Sequence, residues 1–202
     1  MQPGTQPNES PGADPLALFV EWQALAVERG GVMPDAFALA TATRDGRPSV
    51  RTVLFKGVLD GGVRLVTNYD SRKGRELTEN PQGALMFYWP VLERQVRMEG
   101  RLERAPASES DAYFASRDRE SQLGAWASAQ SQPVPSRAAL LAEFDRVRQR
   151  FEGAPVPRPP HWGVVHLIPE RVELWMAGPH RLHDRFEYTR EGAGWRCQRL
   201  MP

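Results

Sequence analysis

The sequence predicts a mainly β protein of the α+β class, an antiparallel barrel with helices packed outside it. Three observations carry that expectation. Short runs of alternating hydrophobicity dominate both halves of the 202-residue chain. They are interrupted from Pro106 to Phe151 by segments whose period is helical. The resulting order is helix, five strands, helical insertion, strands, which is not the βαβα alternation of a doubly wound fold.

Residues 1–13 are rich in Pro, Gly, Asn, Ser and Gln with almost no apolar content, and read as a disordered arm before a single domain over 14–202. Asp14-Pro15 starts a helix, because a capping side chain is followed by a proline whose missing N–H has no partner to lose there. Leu16, Phe19, Val20, Trp22, Leu25 and Ala26 keep a rough helical stripe until Gly30-Gly31 stops it. Phe37 to Thr43 is a strand, Arg44-Asp45-Gly46-Arg47 its turn, Ser49 to Lys56 the partner and Val63 to Thr67 a third strand. Asp70 or Ser71 can cap a short helix ending at Asn80-Pro81. Its first turn carries Arg72 and Lys73 beside free backbone N–H groups. Cations are mildly unfavourable at that end of the helix dipole, so their presence points to an anion site; the plainer reading is a basic helix start facing water.

Ala84 to Trp89 and Arg94 to Glu103 are two more strands, joined at Pro90; in the second, Gln95 and Arg97 share one face and Val96 and Met98 the other. Ser108 to Arg117 reads as one helix. That puts Tyr113 and Arg117 on one face, a hydroxyl and a guanidinium suited to phosphate oxygens. Ser121 to Trp126 continues the helical layer, and Ala127 to Pro135 is a polar loop. Ser136 to Phe151 is an amphipathic helix with Leu140, Leu141, Phe144 and Val147 inward and Arg146, Arg148 and Arg150 in water. A proline-dense connector, Pro155 to Pro160, leads to strands at Trp162–Ile168, Arg171–Trp175, Arg181–Tyr188 and Trp195–Leu200. If Arg181 to Arg185 is extended, Arg181, His183 and Arg185 share one face, with Leu182 and Asp184 on the other. Two cations flanking an imidazole suit an anion, and the imidazole can exchange a proton near neutral pH; a solvated edge strand is the alternative.

At 41% hydrophobic and 25% charged residues the chain can bury an ordinary core, and its net charge of +1, with no uniformly basic block, argues against a nucleic-acid partner. The single cysteine, Cys197, allows no internal disulfide and suits a reducing compartment. No run approaches the ~18 apolar residues of a membrane span, and the N-terminus lacks the order of a secretory signal, so a cytoplasmic protein without a membrane partner is expected. The dinucleotide and P-loop glycine patterns, C-x-x-C, H-E-x-x-H and the G-x-S-x-G elbow are all missing, so no metal is expected.

Several separated motifs, in one order, resemble the pyridoxamine 5′-phosphate oxidase family over Asp14 to Pro202. They are Arg51-Thr52-Val53-Leu54-Phe55-Lys56, the run Thr67 to Arg75, Glu93 to Arg97, Asp111 to Arg117, Ser121 to Ser128 with Gln130-Ser131-Gln132, Arg158 to Trp162, and Arg181-Leu182-His183-Asp184-Arg185. The resemblance implies a split β-barrel homodimer with FMN at the subunit interface. It implies that Arg51, Thr52, Val53, Leu54, Phe55, Lys56, Val66, Thr67, Arg72, Lys73, Gln95, Gln130, Ser131, Trp175 and Arg185 hold the flavin. Lys56, Tyr113, Arg117, Ser121, Arg181, Leu182 and His183 would hold the substrate, pyridoxamine or pyridoxine 5′-phosphate. Hydride from the substrate C4′ would pass to the flavin and two electrons on to O2, giving pyridoxal 5′-phosphate and hydrogen peroxide. Arg181 and His183 are expected to flank the C4′ substituent, polarising it or taking its proton. Arg51 and Lys56, five apart, point to opposite faces of a regular strand, so they share a ligand only across a bulge. Three positions depart from the family pattern: Val66, Val164 and Met176, the last where a side chain able to hydrogen-bond the flavin edge is usual. The rival readings are a sibling flavin oxidase of the phenazine-biosynthesis type and a non-catalytic binder of FMN or pyridoxal 5′-phosphate. The intact run Arg181 to Arg185 with Tyr113, Arg117 and Ser121 speaks for the oxidase of the phosphorylated pyridine.

Overall fold

Alternating burial along each long strand builds the sheet that the period-2 runs predict. The computed structural model describes residues 12–202. α1 (Pro15–Glu28) precedes β1 (Ala36–Ala42), β2 (Pro48–Leu54), a two-residue β3 (Val58–Leu59) and β4 (Gly62–Asn68). Next come α2 (Arg72–Glu79), β5 (Gln82–Trp89) and β6 (Arg94–Arg104), then three helices, α3 (Ala107–Ala115), α4 (Arg119–Ala127) and α5 (Arg137–Arg150). β7 (Trp162–Met176), β8 (Asp184–Glu191) and β9 (Gly194–Arg199) complete the chain. All pairings are antiparallel, in the order β2-β1-β5-β6-β7-β4-β3, with β8 and β9 branching from β7. Among the described residues no ladder joins β2 to β4, so the barrel is split rather than closed.

Side-chain caps set the helix starts. Asp14 accepts from the Leu16 N–H at 2.9 Å, Ser71 from Gly74 at 3.2 Å and Asp118 from Ser121 at 2.8 Å. α1 lays Phe19 against Phe55, Phe87 and Trp89, closing one end of the barrel core. A second apolar cluster, with Phe114, Leu123, Val147, Phe151 and Trp162, ties α3, α4 and α5 to the start of β7. It is this cluster that positions the residues around Arg117.

Several expectations need correction. Trp162–Ile168 and Arg171–Trp175 are one strand: Pro169 pairs with Gly100 where β6 shifts register between Glu99 and Gly100, so the irregularity absorbs the missing N–H. The helix expected to run to Arg117 stops at Ala115, and Arg117 lies in the joint before α4 rather than on a helical face with Tyr113. Leu140 and Leu141 are exposed, and only Val147 of the expected inner stripe of α5 is buried. Of the run Arg181 to Arg185 only Asp184 and Arg185 lie in a strand. Pro179–Arg181 forms a 3₁₀ turn in which His180 and Arg181 take positive φ, and β8 begins at Asp184. β3 was not anticipated, being only two residues long. Residues 1–11 of the expected arm lie outside the described residues; at its end the Gly12 carbonyl accepts a 3.0 Å hydrogen bond from the Tyr188 hydroxyl.

Candidate functional site

β2, α2 and the α3–α4 joint surround a cavity of about 550 Å³ lined by Thr52, Val53, Leu54, Lys56, Val66, Lys73, Tyr113, Arg117, Ser121 and Gln130, among others. An adjoining space of about 340 Å³ shares Val66, Arg117, Ser121 and Gln130 and adds Thr67 and Trp162. Two cations of the larger cavity come from different elements, Lys73 from α2 and Arg117 from the α3–α4 joint. Lys73, in the first turn of α2, donates to Gln130, and burial together with the charge of Arg51 pulls its ammonium down to about 8. Arg117 lies over the Trp162 ring at 4.7 Å, and its Nη1 is buried without a hydrogen-bond partner. Burial draws this guanidinium below its ordinary value, with Tyr113 and Asp118 partly offsetting the effect. A buried guanidinium nitrogen of this kind has a donor left over for an anionic oxygen.

Two residues of the stretch Arg51 to Lys56 turn elsewhere. Phe55 packs into the aromatic core. Arg51 points to the inner side of β2 and donates to the Leu39 carbonyl at 3.1 Å and to Glu76 at 3.2 Å. No bulge reconciles Arg51 with Lys56; β2 simply ends at Leu54, and Lys56 follows it with its backbone N–H on the Arg64 carbonyl. Arg72 is exposed and paired with Glu76 at 2.8 Å, while its backbone N–H donates to Ser131 Oγ at 3.1 Å. The sequence reading missed Glu76. It is 3% exposed and accepts from Thr41, Ser49, Arg51 and Arg72, so that although burial would raise its carboxyl, these bonds hold it at about 2. Its spacing of four from Arg72 on α2 was the available signal.

The other site residues gather at a different place. Gln95 of β6, Trp175 of β7 and Arg185 of β8 stand in one cross-strand row. Arg185 grips both oxygens of Glu173 at 2.9 and 3.0 Å, and Arg97 pairs with the same carboxylate, which is 4% exposed. Burial opposes that carboxylate's charge, yet the two arginines hold it below its usual range. His183 lies against Trp175, ring centres 4.6 Å apart, whereas Arg181 and Leu182 are exposed. None of these residues lines the cavities around Arg117. The reason is β7. Gly163 pairs with Thr67 and Trp175 with Gln95, so the two groups sit twelve residues apart on one strand (175 − 163), or roughly 40 Å of extended chain. Arg181 and His183 are therefore not brought to Arg117 and Tyr113 within one chain. Among the described residues, no helix is long and apolar enough to cross a membrane, and no group of three or more His, Cys, Asp or Glu is placed to hold a metal.

The chain is similar to known proteins over most of its length. Residues 32–151 match the family model described as pyridoxamine 5′-phosphate oxidase, and residues 162–202 match the pyridoxine 5′-phosphate oxidase C-terminal dimerisation region. The chain is 54% identical to the pyridoxine/pyridoxamine 5′-phosphate oxidase of Rubrobacter xylanophilus, over 94% of this chain and 87% of that one. To the protein of that name from Burkholderia lata it is 50% identical, over 94% and 89%. A crystal structure of PhzG from Burkholderia lata 383, in complex with tetrahydrophenazine-1-carboxylic acid, superposes with a TM-score of 0.91 at 35% identity, covering 98% of this chain and 97% of that one.

Proposed function

The chain belongs to the pyridoxamine 5′-phosphate oxidase family, and from that premise we propose that it oxidises pyridoxamine or pyridoxine 5′-phosphate to pyridoxal 5′-phosphate with FMN as cofactor. The observation that carries the reading is the cavity itself, with Lys73 from α2 and, from the α3–α4 joint, the unpartnered Arg117 Nη1 beside Tyr113 and Ser121. FMN and substrate each bring a phosphate, and these two cationic places suit one apiece. Lys73, Gln130, Ser131 and Thr67 would hold the flavin, and Arg117, Tyr113, Ser121 and Lys56 the substrate. When bound, FMN supplies the two-electron acceptor, and O2 reoxidises it to yield one hydrogen peroxide per turnover. The amine substrate also consumes water and releases ammonia; the alcohol needs neither.

The separation along β7 gives the reading a second support. A ligand held by Lys73 and Arg117 of one chain meets the row Gln95, Trp175 and Arg185, with Arg181 and His183, only from a second copy. The match to a dimerisation region over 162–202 fits that arrangement, in which FMN lies at the interface of a homodimer. Substrate class is the finer question. One organism, Burkholderia lata, holds both kinds of relative, and the chain is 50% identical to the one named for the phosphorylated pyridines and 35% to PhzG.

The deciding experiment loads the protein with FMN and follows pyridoxal 5′-phosphate and peroxide together under air. Equal formation of both from either substrate is expected. Bound flavin with neither product would transfer the reading to the PhzG-like oxidases or to a binder. A pH dependence follows from Lys73. The ammonium keeps its full charge below about pH 8 in the free protein, so FMN affinity should be flat there and fall as pH rises through 8. The bound phosphate itself raises this group, which sets the upper end of the decline. A flavin titration of the apoprotein from pH 6.5 to about 9.5 measures it, and the slope should vanish in Lys73→Gln.

A further inference from the structure

Arg64 of β4 touches two residues that line the larger cavity without lining it itself. Its main chain carries Lys56, whose N–H donates to the Arg64 carbonyl at 3.0 Å, while the Arg64 N–H donates to Gly57 at 2.9 Å. Its guanidinium lies over the Tyr113 ring at 5.8 Å, within reach of a cation–π contact. Alternation along β4 puts Arg64 on the same face as Val66, which also lines the cavity.

Glu109 holds the guanidinium there. It precedes Tyr113 by one turn of α3, the spacing that puts two side chains on one helical face. Its Oε1 stands 2.8 Å from Arg64 Nε and 2.9 Å from Nε2 of His166, the residue that pairs with Arg64 across the β4–β7 ladder. All three side chains are largely buried, none more than 21% exposed. The Arg64 Nε–H is not aimed at the nearby oxygen and finds no acceptor, so charge rather than direction makes this pair. Ser110, the next residue, accepts from the Val164 N–H at 3.0 Å, which pins the start of α3 to β7. Trp162 stacks on the Tyr113 ring at 6.2 Å, the planes 16° apart.

From these contacts we infer that Arg64, clamped by Glu109, is a positioning residue that fixes the Tyr113 ring and so keeps its hydroxyl where a ligand phosphate binds. The inference rests on the proposed function for the placing of that phosphate. Neither Arg64 nor Glu109 lines the cavity, and both act through Tyr113. A side chain already ordered loses little freedom when the ligand arrives, so the pair strengthens binding and leaves the rate of the bound complex alone.

Two variants and one second background test this. Arg64→Met keeps the aliphatic stem and removes the cation, and Glu109 retains His166. Glu109→Gln keeps the shape and removes the clamping charge, and it carries the test should Arg64→Met fail to fold; the urea midpoint checks each. KM for the phosphorylated substrate should rise about three- to tenfold with kcat within about twofold of the parent. Affinity of the FMN-loaded protein for inorganic phosphate, measured by calorimetry, should fall by a similar factor. In the Tyr113→Phe background, where no hydroxyl remains to be placed, Arg64→Met should change neither readout further. Unchanged KM and phosphate affinity in the folded variants would leave Arg64 and Glu109 an ordinary ion pair and overturn the inference. So would an equal loss in both backgrounds, or a loss confined to kcat. A parent that binds inorganic phosphate yet turns over no phosphorylated pyridine would count against the proposed function, with the phosphate affinities still deciding the role of Arg64.

Discussion

Glu76→Ala should lower the free energy of unfolding by about 3–5 kcal/mol, because it strands buried positive charge rather than merely deleting a contact. The carboxylate is 3% exposed and is the common acceptor for Thr41, Ser49, Arg51 and Arg72. Without it Arg51, whose side chain is 22% exposed, keeps only neutral acceptors, among them Thr41, Ser49 and the Leu39 carbonyl. Urea unfolding of the apoprotein measures the loss as a lower midpoint at unchanged slope. The pH dependence has a definite sign. A carboxyl held at about 2 when folded and at the ordinary 4.5 when unfolded contributes stability that is complete above 4.5 and lost as pH falls towards 2. The gap between parent and variant should therefore narrow across that window. A gap that is small at neutral pH, or that does not narrow in acid, would show the network to be dispensable.

Arg117→Met should cut kcat/KM for the phosphorylated substrate by roughly 10- to 150-fold, the worth of about 1.5–3 kcal/mol in a charge-assisted hydrogen bond. Methionine keeps an apolar stem over Trp162 and Phe114, so packing is largely preserved while the charge goes. The control is the unphosphorylated substrate. Its turnover should be nearly the same in parent and variant, since it offers Arg117 no anion. Equal losses for both substrates would make Arg117 a structural residue of the α3–α4 joint. Flavin affinity should hardly change, because Lys73 and Gln130, which bond each other, come from α2 and the loop after α4 and not from the α3–α4 joint.

These two residues also mark what the chain reveals before it is folded. Local rules performed well where the physics is local. Asp14 and Ser71 cap helices as their positions imply, and the faces of Gln95, Arg97, Val96 and Met98 follow from alternation alone. Arg117 lines the cavity, but the sequence alone places it on the wrong element. Its helix ends two residues earlier, because Asp118 caps a new one, and a joint rather than a helical face presents the guanidinium. Arg181 to Arg185 looked extended because alternating cations fit a strand as readily as a turn; the tight loop at Gly178 decides otherwise. Pro169 suggested a break in β7 that the shift in its neighbour's register removes. Glu76 and Glu173 escaped notice for one reason. A buried carboxylate is identified by the partners that tertiary structure brings to it, Thr41 and Arg51 in one case and Arg97 and Arg185 in the other, and sequence spacing does not display those.

The length of β7 has a consequence for heredity. On the proposed two-chain arrangement, each site takes its phosphate cations from one polypeptide and its histidine and tryptophan from the other. Lesions then sort into two classes by which end of this strand they lie near. A chain damaged at Arg117 and a chain damaged at Arg181 are each impaired alone. Paired with one another, they concentrate both faults in one site and leave its twin whole. Alleles of the first class can thus rescue alleles of the second, though neither rescues its own kind.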